Sequence, residues 1–180
     1  MIRAPQRIET ARLLLTPPAA SDAGRIFDRY ASDPDVTRFL GWPRHQSIAE
    51  TDAFLAFSAQ EWERAAVGPY LIWSRDGTVL LGATGLAVMD AWHAITGYVL
   101  ARDAWGHGYA TEALTAMVDL ARGLGFAQLT AVCHHEHRAS WHVLEKCGFA
   151  RDGGMHQTEF PNLVAGVQQA AFSYTNRLIP

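Results

Sequence analysis

The sequence predicts one α/β or α+β domain built on a single mixed sheet. Three observations lead there. A chain of 180 residues fits one domain, or one domain with a small extension. Hydrophobic residues make up 49% and charged residues 18%, with six Trp, eight Phe and five Tyr, which supplies a core and excludes a disordered chain. Short apolar runs suited to strands alternate with amphipathic runs suited to helices, and the second half reads strand–helix–strand–helix.

The elements follow in order. "IETARLLLTPP" (8–18) reads as a strand centred on Leu13, Leu14 and Leu15 and stopped by Pro17-Pro18. "SDAGRIFDRYAS" (21–32) reads as a helix, with Ser21 or Asp22 as N-cap and Ile26, Phe27 and Tyr30 on one face. "DPDVTRFLGWP" (33–43) is a capped turn or short helix ending at Gly41 and Pro43. "SIAETDAFLAFSAQEWERAA" (47–66) is a helix with a capping box from Ser47 and Glu50, and Phe54, Leu55, Ser58 and Trp62 keep a helical spacing. "GPYLIWSRDGTVLLGATGLAVM" holds two strands joined at Asp76-Gly77, a hairpin signal. "HAITGYVLA" (93–101) is a third strand. A helix then runs to about Leu124, bounded by Gly123 and Gly125. "AQLTAVCH" (127–134) is a strand. "RASWHVLEKCGF" (138–149) is a helix ended by Gly148, with Phe149 as the hydrophobic partner. Two more strands fill 150–175.

Charge and composition exclude several functions. The formal net charge of −3 leaves no basic footprint for nucleic acid or an acidic membrane. No stretch approaches the ~20 apolar residues of a membrane span. "MIRAPQRIET" lacks the apolar region of a signal peptide. Cys133 and Cys147 do not make a disulfide framework, so reduced thiols and a cytoplasmic location are expected.

The most informative stretch is "RDAWGHGYATEAL" (102–114), where Gly106 and Gly108 flank His107 at a strand-to-helix junction. Successive backbone N–H groups there make a nest, and the helix N-terminus adds roughly half a positive charge, which suits a phosphate. Glycine removes the Cβ that would hold the phosphate away. No Lys-Ser or Lys-Thr follows, so this is not a Walker motif. Thr111 stands at the third glycine position and no acidic residue is placed for a ribose, so it is not a dinucleotide fingerprint either. A tight turn with no ligand is the alternative.

Four segments in the same order resemble the GNAT superfamily of acyl-CoA-dependent N-acyltransferases, in its RimJ/RimL-like branch. "IETARLLLTPP" is similar to the branch's TERLxLR strand, and "DPDVTRFLGWP" to the segment after it. "WGHGYATEAL" resembles the acyl-CoA motif WGKGYATEAL. "HRASWHVLEKCGF" resembles NxASxxVLEKxGF. Together they cover most of residues 8–150. The resemblance implies a mixed, twisted central sheet of about six to seven strands, helices on both faces, and a splay where acyl-CoA enters.

It also implies site residues. Amides of Trp105, Gly106, His107, Gly108, Tyr109 and Ala110, with Thr111 following, would cradle the pyrophosphate of coenzyme A. His107 stands where the branch often has lysine. Backbone near Tyr98, Val99 and Leu100 would bind the acyl carbonyl and the pantetheine arm. His137 replaces an asparagine that contacts pantetheine, and a second reading makes it a base. Leu144 stands where many members carry a tyrosine acid. Ser140 aligns with a serine of this branch that donates to the leaving thiolate, the alternative being a helix N-cap. Glu159 is the candidate base near the amine, or else a solvated strand residue. Thr96, where relatives often carry glutamate, cannot serve as one.

The acceptor pocket is expected across the sheet from coenzyme A, under the N-terminal helices, with Phe39, Trp42, Tyr70, Trp73 and His93 as candidates. "CHHEHRASWH" offers Cys133, His134, His135, Glu136, His137 and His142, but a strand sends His134 and His135 to opposite faces, and no metal is expected. The resemblance thus implies transfer of an acetyl group from acetyl-CoA to a primary amine by direct attack on the thioester. Protein N-termini and small amines both qualify as acceptors, and monomer and homodimer are both open. A non-catalytic acyl-CoA sensor and an enzyme for a longer acyl donor are the rival readings.

Overall fold

A computed structural model describes residues 3–178. Nine strands form one sheet: β1 Ile8–Glu9, β2 Leu13–Thr16, β3 Pro69–Ser74, β4 Leu80–Val88, β5 His93–Leu100, β6 Gln128–His134, β7 Ala150–Arg151, β8 His156–Glu159 and β9 Gln168–Arg177. The order is β1-β2-β3-β4-β5-β6-β9-β7, with β8 also paired to β9. Every pairing is antiparallel except β5 with β6. The helices are α1 Ala23–Ile26, continued by a π-helical turn over Phe27–Ala31, then α2 Pro34–Thr37, α3 Ile48–Ala65, α4 Tyr109–Gly123 and α5 Arg138–Lys146.

The central strands are buried on both faces, so they read as continuous apolar runs. In β2, Leu13 and Leu15 join the core under α4 and α5, while Leu14 joins a second core against α1 and α2. β3 alternates likewise, with Tyr70 and Ile72 on the first side and Leu71 and Trp73 on the second. The helices therefore cover both faces of the sheet.

Several local expectations change. The strand over 8–18 is two strands with a tight turn between them, closed by Thr10 N–H on the Leu13 carbonyl at 3.0 Å. Residues 150–175 hold three strands rather than two. Ser47 caps α3 by position only. Its side chain makes no capping hydrogen bond, and Glu50 turns back to accept from Gln46 N–H instead.

Two features of the sheet set up the site. First, a bulge between β3 and β4 pairs Ile72 with Gly82 and Trp73 with Leu80. A Cβ on Gly82 would lie 2.0 Å from the Val99 carbonyl oxygen, so only glycine lets β4 and β5 close there. Second, β5 and β6 pair only at His93–Gln128, Ala94–Leu129 and Ile95–Thr130. Beyond that point the strands part, and the edges of β5 from Thr96 to Leu100 and of β6 from Ala131 to His134 face a gap.

Candidate active site

The loop before α4 leaves a row of backbone N–H groups free. Gly106 and Gly108 both adopt left-handed backbone, with φ of 77° and 79°, which a side chain would penalise. Among the described residues, the backbone N–H groups of Gly106 to Thr111 donate to no carbonyl. These are the orphan donors of a helix N-terminus plus a glycine nest.

The loop is held from two sides. Trp105 Nε1 donates to the Leu100 carbonyl at 2.9 Å, tying it to the end of β5. Arg12, in the turn between β1 and β2, donates through its guanidinium to the His107 carbonyl at 2.8 Å and to Glu112 of α4 at 2.7 Å. The same guanidinium lies 4.8 Å over the Tyr109 ring. Glu112 also accepts from Thr10 Oγ1 at 2.6 Å and Arg12 N–H at 2.8 Å, and these donors hold its carboxyl below its ordinary range despite partial burial. The His107 ring stacks on Tyr109. Sequence reasoning did not assign Arg12 or Glu112 a role. The signal was present: the Thr-Ala-Arg-Leu segment and the Ala-Thr-Glu-Ala segment carry opposite charges in the two most specific stretches.

The gap between β5 and β6 is spanned by side chains. Tyr98 on β5 places its hydroxyl 2.9 Å from Ser140 Oγ on α5 and 3.2 Å from the Ser140 carbonyl. Ser140 is therefore not the helix N-cap. His137 takes that position, without a side-chain cap bond. Burial holds the Tyr98 phenol well above its ordinary range and pushes the neighbouring Cys133 thiol up to about 11. Val99 and Leu100 turn their side chains into the two cores, leaving backbone at the gap. Leu144, at the position of a tyrosine acid in many relatives, is buried apolar wall.

A cavity of about 960 Å³ runs from this gap to the outer face of the sheet. Thr96 to Val99, Ala131 to Cys133, His137 and Ser140 line its inner end, and Phe39 to Pro43, α3 and Phe160 line its outer end. His137 is half-buried and stacks on Phe39 at 4.9 Å, and Phe39 stacks in turn on His134 at 4.8 Å. Burial holds both imidazoles below their ordinary 6.5. His134 is fixed, accepting from Glu136 N–H and facing Gln169 Oε1 at 3.2 Å. His137 makes no ring hydrogen bond among the described residues. Glu159 also borders the cavity, exposed, and accepts from Gly166 N–H at 2.9 Å.

The loop carrying Phe39 and Trp42 is stapled from across the cavity by Asn162. Its amide donates to the Thr37 and Trp42 carbonyls at 2.8 Å each and accepts from Arg44 N–H at 2.6 Å. Nothing in the local sequence marks Asn162 for this.

Three acceptor candidates fall elsewhere. Tyr70 is fully buried, its hydroxyl on the Pro5 carbonyl and its ring edge-on to Trp62. Trp73 is packed in the second core with Nε1 on Thr16 Oγ1. His93 begins β5 with Nε2 2.8 Å from Thr130 Oγ1, bracing the one parallel pairing away from the cavity. Tyr70 points into the opposite core, Trp73 lies on the cavity's side of the sheet but further along β3, and His93 sits at the paired start of β5, so none of the three lines the cavity. His134 and His135 also differ from expectation: β6 ends at His134, the chain turns, and the two rings meet at 4.4 Å. Among the described residues, no three His, Cys, Asp or Glu side chains are arranged to hold a metal ion.

Comparison with known proteins agrees with this architecture. Residues 12–150 match the acetyltransferase (GNAT) domain. An uncharacterized N-acetyltransferase of Bacillus subtilis, YoaA, is 30% identical over 159 residues, covering 86% of this chain and 89% of its own. Two solved structures share the fold. The microcin C7 self-immunity acetyltransferase MccE, in complex with acetyl-CoA and AMP, superposes with a TM-score of 0.82 at 18% identity, covering 93% of each chain. RimL, a ribosomal L7/L12 α-N-protein acetyltransferase in complex with coenzyme A, superposes with a TM-score of 0.82 at 20% identity, covering 94% of this chain and 96% of its own. By this match over most of its length, together with the splayed sheet and the glycine nest before α4, this chain belongs to the GNAT acetyltransferase family.

Proposed function

We propose that the protein transfers the acetyl group of acetyl-CoA to a primary amine by direct attack on the thioester. The observation that carries this reading is the cavity that passes through the gap between β5 and β6, with an anion cradle at the end of β5 and an open aromatic mouth on the other face. The free amides of Gly106 to Thr111 fit a pyrophosphate, since two glycines keep Cβ atoms out of the nest. The unpaired edge of β5, from Thr96 to Leu100, offers amides and carbonyls to an extended arm lying in the gap. That both comparison structures above hold acetyl-CoA or coenzyme A supports the same donor here.

In this reading acetyl-CoA supplies an activated acyl carbon, and the chain supplies position and protons. The amine enters from the aromatic end and meets His137. Burial keeps that imidazole neutral at pH 7, so it takes the amine's proton as the N–C bond forms. Ser140 stands across the gap, where the sulfur leaves. Its hydroxyl turns to donate to the thiolate, Tyr98 at 2.9 Å holds the serine in place, and the proton taken up by His137 returns through solvent to the sulfur. Glu159 is the poorer base, being exposed and committed to Gly166. The products are an acetamide and free coenzyme A thiol.

The test is thiol release from acetyl-CoA with purified protein and a panel of N-terminal peptides, polyamines and aminoglycosides. Acetylated product from any of them is the expected result. Binding of acetyl-CoA with no acetylation across the panel would overturn the transfer reading in favour of a sensor.

A further inference from the structure

We infer that the acceptor is a cationic amine on a flat apolar body, gripped between aromatic side chains and steered by carboxylates of α3. This deepens the reading above and rests on the outer end of the cavity receiving the acceptor. Four α3 residues line it: Glu50, Phe54, Phe57 and Glu61. Their spacing of four, three and four places them on one helical face. The stripe runs carboxylate, aromatic, aromatic, carboxylate. Phe57 is 54% exposed, a large apolar face left in water at the cavity mouth.

The facing wall is also aromatic. Trp42 and Phe39 stand on the loop stapled by Asn162, and Phe39 is backed by the His134 and His137 rings. Flat apolar groups gain most between such rings, by offset or edge contacts, and a cation gains from their faces.

Charge points the same way. The lining carries three carboxylates, Glu50, Glu61 and Glu159, against one neighbouring cation, the Arg38 guanidinium 5.1 Å over the Phe39 ring. Glu61 is paired with Arg64, and Glu159 accepts from Gly166 N–H. Glu50 has no cationic partner among the described residues. It accepts one backbone N–H, from Gln46, and stands near His45. A linear polyamine would use the carboxylates but leave the rings wet. An anionic aromatic would use the rings but meet mainly like charge.

Calorimetric titration into the coenzyme A-saturated protein separates these cases with three probes: tryptamine, putrescine and indole-3-propionate. Tryptamine is expected to bind at least tenfold more tightly than either of the others. Phe57→Ala, at a half-exposed position, should weaken tryptamine at least fivefold while leaving coenzyme A affinity and melting temperature unchanged. Glu50→Gln should weaken tryptamine and narrow its advantage over indole-3-propionate. Putrescine binding as tightly as tryptamine would overturn the aromatic half of the inference, and equal binding of indole-3-propionate the cationic half. Thiol release run alongside keeps the two readings apart. Putrescine acetylated as efficiently as tryptamine would sink the acceptor class and leave acetyl transfer standing. Tight tryptamine binding without acetylation would do the reverse.

Discussion

Replacing Arg12 with alanine removes the strut between the β1–β2 turn and the glycine loop. Two side-chain hydrogen bonds are lost, one to the His107 carbonyl and one to Glu112. Glu112 is not orphaned, because Thr10 Oγ1 and the residue-12 N–H still reach it. The His107 carbonyl lies at the surface, where water can replace the guanidinium. The Arg12 side chain is itself half-exposed, so each lost bond is worth about 0.5–1 kcal/mol, at the upper end of exposed ion pairs. The total is about 1–2 kcal/mol, which lowers the melting temperature of a domain this size by roughly 3–6 °C. If the loss falls mainly on the order of the cradle, the KM for acetyl-CoA rises about 5–30-fold, since 1.4 kcal/mol is a factor of ten. The chemical step does not touch Arg12, so kcat should stay within about twofold. Arg12→Lys should not restore the KM, because an ammonium cannot span both acceptors as the planar fork does. The assay is steady-state thiol release at varied acetyl-CoA with saturating amine. An unchanged KM with a reduced kcat would refute the strut and place Arg12 in the chemistry. Full rescue by lysine would reduce its role to charge.

Four further outcomes follow from the geometry. Ser140→Ala should lower kcat by roughly ten- to a hundredfold with little change in acetyl-CoA affinity, as expected for a lost proton donor, and equal kcat would remove Ser140 from the reaction. Gly82→Ala should cost about 3 kcal/mol or more, because the new methyl meets the Val99 carbonyl oxygen rather than a movable side chain, and an unshifted urea midpoint would show that the bulge can relax. The acidic limb of kcat/KM should have its midpoint below 6.5, since the His137 imidazole must be neutral and burial lowers its pKa. His137→Gln should abolish that limb. Stability has the same sign: with His134 and His137 held below 6.5 in the folded state, the unfolded chain takes up more protons, so stability falls as pH drops from about 6.5.

Much of this was legible in the sequence because it is local. Gly106 and Gly108 mark a tight strand-to-helix junction by themselves, and Asp76-Gly77 closes its hairpin without help from the rest of the chain. Leu13, Leu14 and Leu15 read as strand because a doubly buried strand needs apolar groups on both faces. What was not legible depends on partners far along the chain. Arg12 meets Glu112 and His107 across about a hundred positions, and Asn162 meets Thr37 and Trp42 across more. Tyr70, Trp73 and His93 were aromatic candidates by position along the chain. Only the register with β2, β4 and β6 decides that they face core or neighbouring strands. The Ser47–Glu50 box failed for a related reason, since Gln46 N–H offers Glu50 a better donor than the capping position does.

The short pairing of β5 with β6 has a consequence for folding. Strands β1 to β5 form an antiparallel run of sequential neighbours, and β6, β7 and β8 form a second antiparallel group, each paired to β9. Three residue pairs and the crossover through α4 are the seam between them. The parallel seam spans the longest loop closure among the sheet's sequential neighbours after β2–β3, and closes with only three residue pairs to reward it. The two halves can therefore assemble first and dock last. Amides from Thr96 to Leu100 on the gap side belong to an unpaired edge that lines the cavity, so deuterium reaches them without unfolding either half. A ligand lying in the gap would act as mortar in that joint. Slowed exchange on both sides of the seam, with the outer strands unaffected, would be its signature.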